Sequence, residues 1–168
     1  MTHNKLNLVI AFAMSGVLLF SCSGKKQPSG LRDSNASNSK PVSYEQAVED
    51  WRTNKGVGPI KHVDLGPIDQ QMVARGNEVF ENNCTACHLP YKEKIGPALV
   101  GITERRTPEW IMNMILNPVE MVQTDPICLG LLAQYNTVMA DQNIEEEEAR
   151  SILEFFRTLK LDQQEDPS

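Results

Sequence analysis

The chain has 168 residues, 40% of them hydrophobic and 23% charged, with a formal net charge of −6. An acidic balance of that size argues against nucleic-acid binding, which needs a basic footprint, and favours partners with a basic docking face. Four cysteines, two of them in one tight motif, do not make a disulfide-stapled exported scaffold.

In chain order, Lys5 precedes a mostly apolar run from Leu6 to Phe20. That is the length of a signal-peptide core and short for a membrane-spanning helix. The run closes on Leu19-Phe20-Ser21-Cys22, which resembles the bacterial lipobox, whose cysteine becomes the lipidated first residue of the mature chain. Residues 1–21 are therefore expected to be a lipoprotein signal peptide and Cys22 the lipidation site. An uncleaved anchor and cleavage by ordinary signal peptidase are the alternatives, and each of them also exports the chain. Several acyl chains on one residue hold firmly to a bilayer. Removing residues 1–21 takes away Lys5 and leaves 15 Lys plus Arg against 22 Asp plus Glu, a net charge of −7. The expected location is a bacterial membrane on its periplasmic side. Ser23 in place of Asp leans towards the outer membrane.

Residues 22–42 are rich in Ser, Asn, Lys and Pro and read as a disordered tether. Residues 43–68 read as an N-terminal arm. Tyr44 to Arg52 suits a short helix, with Ser43 as N-cap and Gln46 three residues on. Gly56, Gly58, Pro59, Gly66 and Pro67 then break the chain. The compact domain spans 69–161, and 162–168 is a flexible tail. Apolar residues recur at helical spacing and strand alternation is weak, so the fold class is all-α, with about four helices. The first runs from about Asp69 to Asn82, with Met72, Val73, Gly76, Val79 and Phe80 on one face. The second starts where Thr107 caps Pro108 and ends near Asn117-Pro118; Trp110, Ile111, Met114 and Ile115 face inwards. A short third starts at Asp125-Pro126. The last has Asn143 as its expected cap, acidic residues Glu145 to Glu148 in its first turns, and a stripe of Ala149, Ile152, Leu153, Phe156 and Leu159. Four helices over roughly 90 residues bury a modest core, to which a large apolar cofactor would add.

Cys84-Thr85-Ala86-Cys87-His88 carries the chemistry. Two thiols three positions apart can add to the two vinyl groups of one haem, and the next residue places an imidazole beneath the iron. Export agrees with this, because c-type haem is attached outside the cytoplasm. A thioredoxin-like pair sits after a strand and opens a helix; here the motif closes a helix. Structural zinc wants four ligands, and the motif offers three at most. Cys84, Cys87 and His88 are thus expected to hold one covalent haem c. For the sixth iron position the mature chain offers His62 and four methionines after the motif: Met112, Met114, Met121 and Met139. Met139 is favoured, because it lies in a polar loop with no helical face to fill. Met121, His62 and an open position are the alternatives. A Met/His pair raises the reduction potential and closes the iron to small ligands.

These residues together resemble the class I cytochromes c, over about residues 69–161. The resemblance runs through Gly76, Phe80, Cys84-x-x-Cys87-His88, Gly96-Pro97, Trp110, Asn117-Pro118, Met139 and Phe155-Phe156. It implies a cytochrome c fold around one haem, with Gly76 letting the first helix cross the last near Phe155. It implies that the Pro97 carbonyl accepts from His88. It also implies that Trp110 and one of Arg105 or Arg106 meet the haem propionates, and that Tyr135, Asn136 or Thr137 donates to the Met139 sulfur. Met139 is followed by Ala140 where many members have Pro. The segment from Arg106 to Arg150 resembles small cytochromes associated with bacterial nitrous-oxide reductases, which implies a terminal reductase as partner. Cys128 takes no role beyond a buried apolar residue.

The expected function is a one-electron carrier between membrane or periplasmic redox proteins, with no catalysis and no small-molecule substrate of its own. The alternatives are a haem enzyme or gas sensor with an open distal site, and a thiol-redox or zinc module.

Overall fold

The computed structural model describes residues 42–160. The expected signal peptide, Cys22, the tether as far as residue 41 and the tail beyond residue 160 lie outside the described residues. Six α-helices follow one another: α1 (Tyr44–Glu49), α2 (Gln70–Asn83), α3 (Pro108–Leu116), α4 (Pro118–Thr124), α5 (Pro126–Tyr135) and α6 (Glu146–Phe156). Single 3₁₀ turns lie at Trp51–Thr53 and Ile102–Glu104, and there is no strand among the described residues.

The helix starts follow the capping chemistry of the sequence. Asp69 Oδ1 accepts from the amides of Gln71 and Met72, so α2 starts one residue later than expected. Thr107 Oγ1 accepts from Trp110 N and Asp125 Oδ1 from Cys128 N, each with Pro at the first helical position. Two expectations are corrected. Asn143 does not cap α6: it lies in the left-handed region at φ 53°, and the cap is Glu145, whose amide donates to the Glu148 carboxylate at 3.1 Å. Asn117-Pro118 ends α3 but also opens α4, because Pro suits a first helical turn as well as it stops the preceding one.

Helices α2 and α6 form the main packing interface. A Cβ on Gly76 would overlap the backbone carbonyl of Ser151, so only glycine lets the two helices approach this closely. The crossing point is therefore Ser151 rather than Phe155. One turn further along each helix, Phe80 meets Phe155 and Phe156 at ring-centroid distances of 5.6 and 5.8 Å. Glu154, wholly buried, accepts from Arg150 at 2.6 Å, Arg157 at 2.7 Å and the Asp69 amide at 3.0 Å, tying α6 to the start of α2. Burial alone would push its carboxyl up, yet the two guanidiniums and the amide hold it below the ordinary range.

The arm is fastened to the back of α3 by side chains that bond its backbone. Asn113, wholly buried, donates to the carbonyls of Lys55 and Ile60 and accepts from Ile60 N, each at 2.9 Å. Thr107 Oγ1 donates to Asn54 O at 2.6 Å, and Asn117 Nδ2 to Val57 O at 3.2 Å. Gly56 lies at φ 69°, and a Cβ there would strike Met121. Both requirements leave glycine as the residue that fits. Helix α3 is thus buried on two sides: Glu109 and Asn113 bond the arm, while Trp110, Ile111, Met114 and Ile115 line the cavity described next.

Candidate functional site

The end of α2 sets the first wall of the site. Cys84 caps the helix, its amide donating to Phe80 O at 2.8 Å, and its own carbonyl accepts from the amides of Cys87 and His88 at 3.0 and 2.9 Å. The turn presents both thiols and the imidazole to a single cavity. The chain then doubles back. The amides of Ile95 and Gly96 donate to Cys87 O, and those of Leu99 and Val100 to Pro90 O. This brings the Pro97 carbonyl within 3.0 Å of His88 Nδ1. A carbonyl only accepts, so Nδ1 carries the proton and Nε2 keeps its lone pair for a metal. A Cβ on Gly96 would overlap the His88 ring, so the loop closes on the imidazole only because it lacks a side chain there.

Of the methionines, Met114 and Met139 line the cavity. Met121 does not: it is wholly buried, and its Sδ accepts from Val57 N at 2.9 Å in the arm interface. His62 lies outside the cavity and pairs with Asp64 at 2.9 Å. Neither Met121 nor His62 therefore lines the cavity that holds His88. Met139 lies in the connection between α5 and α6, which Asn136 opens in the left-handed region at φ 50°.

The arginines differ. Arg105 donates through Nη1 to Val100 O at 2.7 Å and through Nη2 to Ala98 O at 3.0 Å, bracing the loop that carries Pro97. Arg106 stacks on Trp110 with 5.2 Å between guanidinium carbon and ring centroid. Its Nε is buried without a hydrogen-bond partner at the cavity wall. Such an orphan donor invites an anionic group, and among the described residues it is the buried side-chain polar atom left without a partner. Trp110 lines the cavity through its ring, because its Nε1 donates to Asp125 Oδ1 at 3.1 Å; that leaves it no donor for a propionate. Tyr135 donates to Glu93 Oε1 at 2.6 Å instead of to the Met139 sulfur.

Burial, with Cys87 beside it, pushes the Cys84 thiol up to about 11. That is opposite to the lowered value a thiol-redox centre needs. Among the described residues, no three of His, Cys, Asp and Glu gather as a metal site. Two thiols, an imidazole with its Nε2 free, apolar walls and an orphan guanidinium N–H fit a haem and do not fit zinc. Sequence reasoning missed two features of this wall. Cys128, 1% exposed, also lines the cavity, its Sγ donating to Met114 Sδ at 3.4 Å. Asp125 was legible only as a helix cap, since nothing local marks Trp110 as its partner.

The comparisons agree with this reading. The family described as cytochrome c matches residues 73–160. A cytochrome c from Rhodothermus marinus is 44% identical, with a TM-score of 0.61 over 63% of this chain and 92% of that one. Its engineered form, Rma TDE, is 44% identical, with a TM-score of 0.59 over 61% of this chain and 90% of that one. The same engineered protein bound to a carbene intermediate gives 44% identity and a TM-score of 0.57 over 61% of this chain and 89% of that one. No curated protein sequence matches. With a thiol pair and a preset imidazole on one cavity, in an all-α frame that the family covers from α2 through α6, this chain belongs to the cytochrome c family, holds haem c covalently and serves as an electron carrier.

Proposed function

We propose that the chain is an exported lipoprotein, anchored through Cys22, that carries single electrons through a haem ligated by His88 and Met139 to a terminal reductase of the nitrous-oxide reductase kind. The observation that carries the ligand assignment is that Met139, on an otherwise irregular connection, lines the same cavity as His88, while the other lining methionine, Met114, accepts from Cys128 Sγ and Met121 and His62 are engaged elsewhere. Cys84 and Cys87 would hold the haem, Pro97 would orient His88, and Arg106 would offer its free Nε–H to a propionate. The bound group would supply one-electron redox chemistry; the chain would fix its ligands and set apolar side chains around it. The acidic balance favours a partner with a basic face, and a tether raises local concentration at the membrane.

A second reading, a haem enzyme or sensor with an open distal position, is favoured by one observation: the engineered Rhodothermus relative is described as bound to a carbene intermediate.

The full chain, produced with a cytochrome c maturation apparatus, separates these readings. A pyridine haemochrome that stays with the denatured polypeptide, and a far-red Met-to-iron band lost in Met139→Ala, are expected. Rapid stoichiometric carbon monoxide binding by the reduced wild type would instead establish the open site. Cys22→Ser is expected to move the protein from the membrane to the soluble fraction. Electron transfer to the isolated reductase is expected to slow as ionic strength rises.

A further inference from the structure

We propose that Asp125 sets the reduction potential of the carrier: it is a fixed anion behind the cavity wall that favours the oxidised form and is held in place by the N-terminal arm.

Asp125 is 3% exposed and sits where three segments meet. Its Oδ2 accepts from Asn54 Nδ2 of the arm at 2.7 Å. Its Oδ1 accepts from Trp110 Nε1 of α3 at 3.1 Å and from the Cys128 amide of α5 at 3.0 Å. All three partners are N–H donors, matched to the acceptor oxygens of a carboxylate. Helix capping explains only the Cys128 bond. Trp110 and Cys128 both line the haem cavity, so the anion lies one residue behind its wall. The cation that faces it is Arg106, stacked on the same Trp110.

The consequence has a definite sign. Reduction adds one electron to the haem and no proton to these groups, so the oxidised haem carries one more positive charge. A buried anion nearby favours that oxidised form, and the surrounding protein screens it far less than water would. Removing the charge therefore raises the potential. Arg106, then unopposed, acts in the same direction. Mere loosening of the wall acts the other way: it admits water, which favours the more charged oxidised haem and lowers the potential. The sign thus separates an electrostatic role from a structural one. This inference rests on haem c occupying the cavity, and the haemochrome tests that point independently of any potential.

The experiment is a spectroelectrochemical titration of the holo-protein in two variants. Asp125→Asn is expected to shift the oxidised/reduced equilibrium towards the reduced form on the order of tenfold, which is about 59 mV for one electron. The double variant Asn54→Asp/Asp125→Asn keeps total charge and a hydrogen bond between the two positions, but moves the anion from the wall to the arm. It is expected to raise the potential by less. Where the single variant yields no holo-protein, the double variant decides alone. An unchanged or lowered potential, with haemochrome content and far-red band intact, overturns the proposal.

Discussion

The two sides of the cavity are built differently. The wall from Cys84 to Gly101 is held by bonds that reach across the chain: Gly96 N to Cys87 O, Val100 N to Pro90 O, Gly101 N to Leu159 O, and two from Arg105 onto the carbonyls of Ala98 and Val100. Among the described residues, the connection that carries Met139 makes only local bonds, from Gln142 Nε2 to Ala140 O and from Asn143 N to Asp141 Oδ1. Its tie to the opposite wall is Tyr135, at the end of α5, reaching Glu93. The imidazole is therefore oriented by the polypeptide itself, through the Pro97 carbonyl. Under the proposed ligation, the Met139 sulfur would be held from the other side by the metal and, among the described residues, by the Tyr135–Glu93 clasp. Ligand exchange, where it occurs, belongs to the second side.

The contrast predicts that damage to the first wall is the more severe. Gly96→Val should have the largest effect. The three atoms nearest an added Cβ all belong to the His88 ring, which cannot retreat without leaving the Pro97 carbonyl. We expect the yield of haem-loaded protein to fall sharply and the remainder to lose about 3 kcal/mol of stability, read by haemochrome and denaturant titration. An unaltered yield would mean that the loop is free to move and would erase the contrast. Next comes Arg105→Met, which keeps an apolar stem but leaves the carbonyls of Ala98 and Val100 without their charged donor. A loss of about 2–3 kcal/mol is expected, with the far-red band retained, because the Met139 side is untouched.

These differences were legible only in part, for physical reasons. The thiol–imidazole motif, the Thr107 and Asp125 caps and the α6 stripe are local or periodic, and a sequence displays such features directly. Gly76 was legible as a crossing glycine, but its partner depends on the register of two helices far apart in the chain; that register gives Ser151. The second use of Asn117-Pro118, as the opening of α4, was hidden because Pro ends one helix and starts another by the same property. The arm's attachment through Asn113 was invisible, since each bond joins a side chain to a backbone more than fifty residues away. The division of labour between Arg105 and Arg106 likewise follows from which carbonyls the folded loop presents.

The smallest effect sharpens the comparison most. Tyr135→Phe removes the clasp alone, and its cost should be about 1 kcal/mol or less. Its signature lies elsewhere: added imidazole should enter the ferric iron faster, by the route the clasp restrains, while Arg105→Met should leave that rate near the wild type. The clasp also has a pH signature. The hydrogen bond to Glu93, assisted by burial, pushes the Tyr135 phenol up from 10 to about 12. A group whose folded value is raised contributes fully below its unfolded value and loses that contribution as pH climbs through the folded one. The clasp is therefore intact at neutral pH and weakens between about 10 and about 12. Imidazole entry into the wild type should quicken across that window and become less sensitive to it in Glu93→Gln, where the phenol returns towards its ordinary value. A rate that rises identically in both would place the opening in some other part of the Met139 connection.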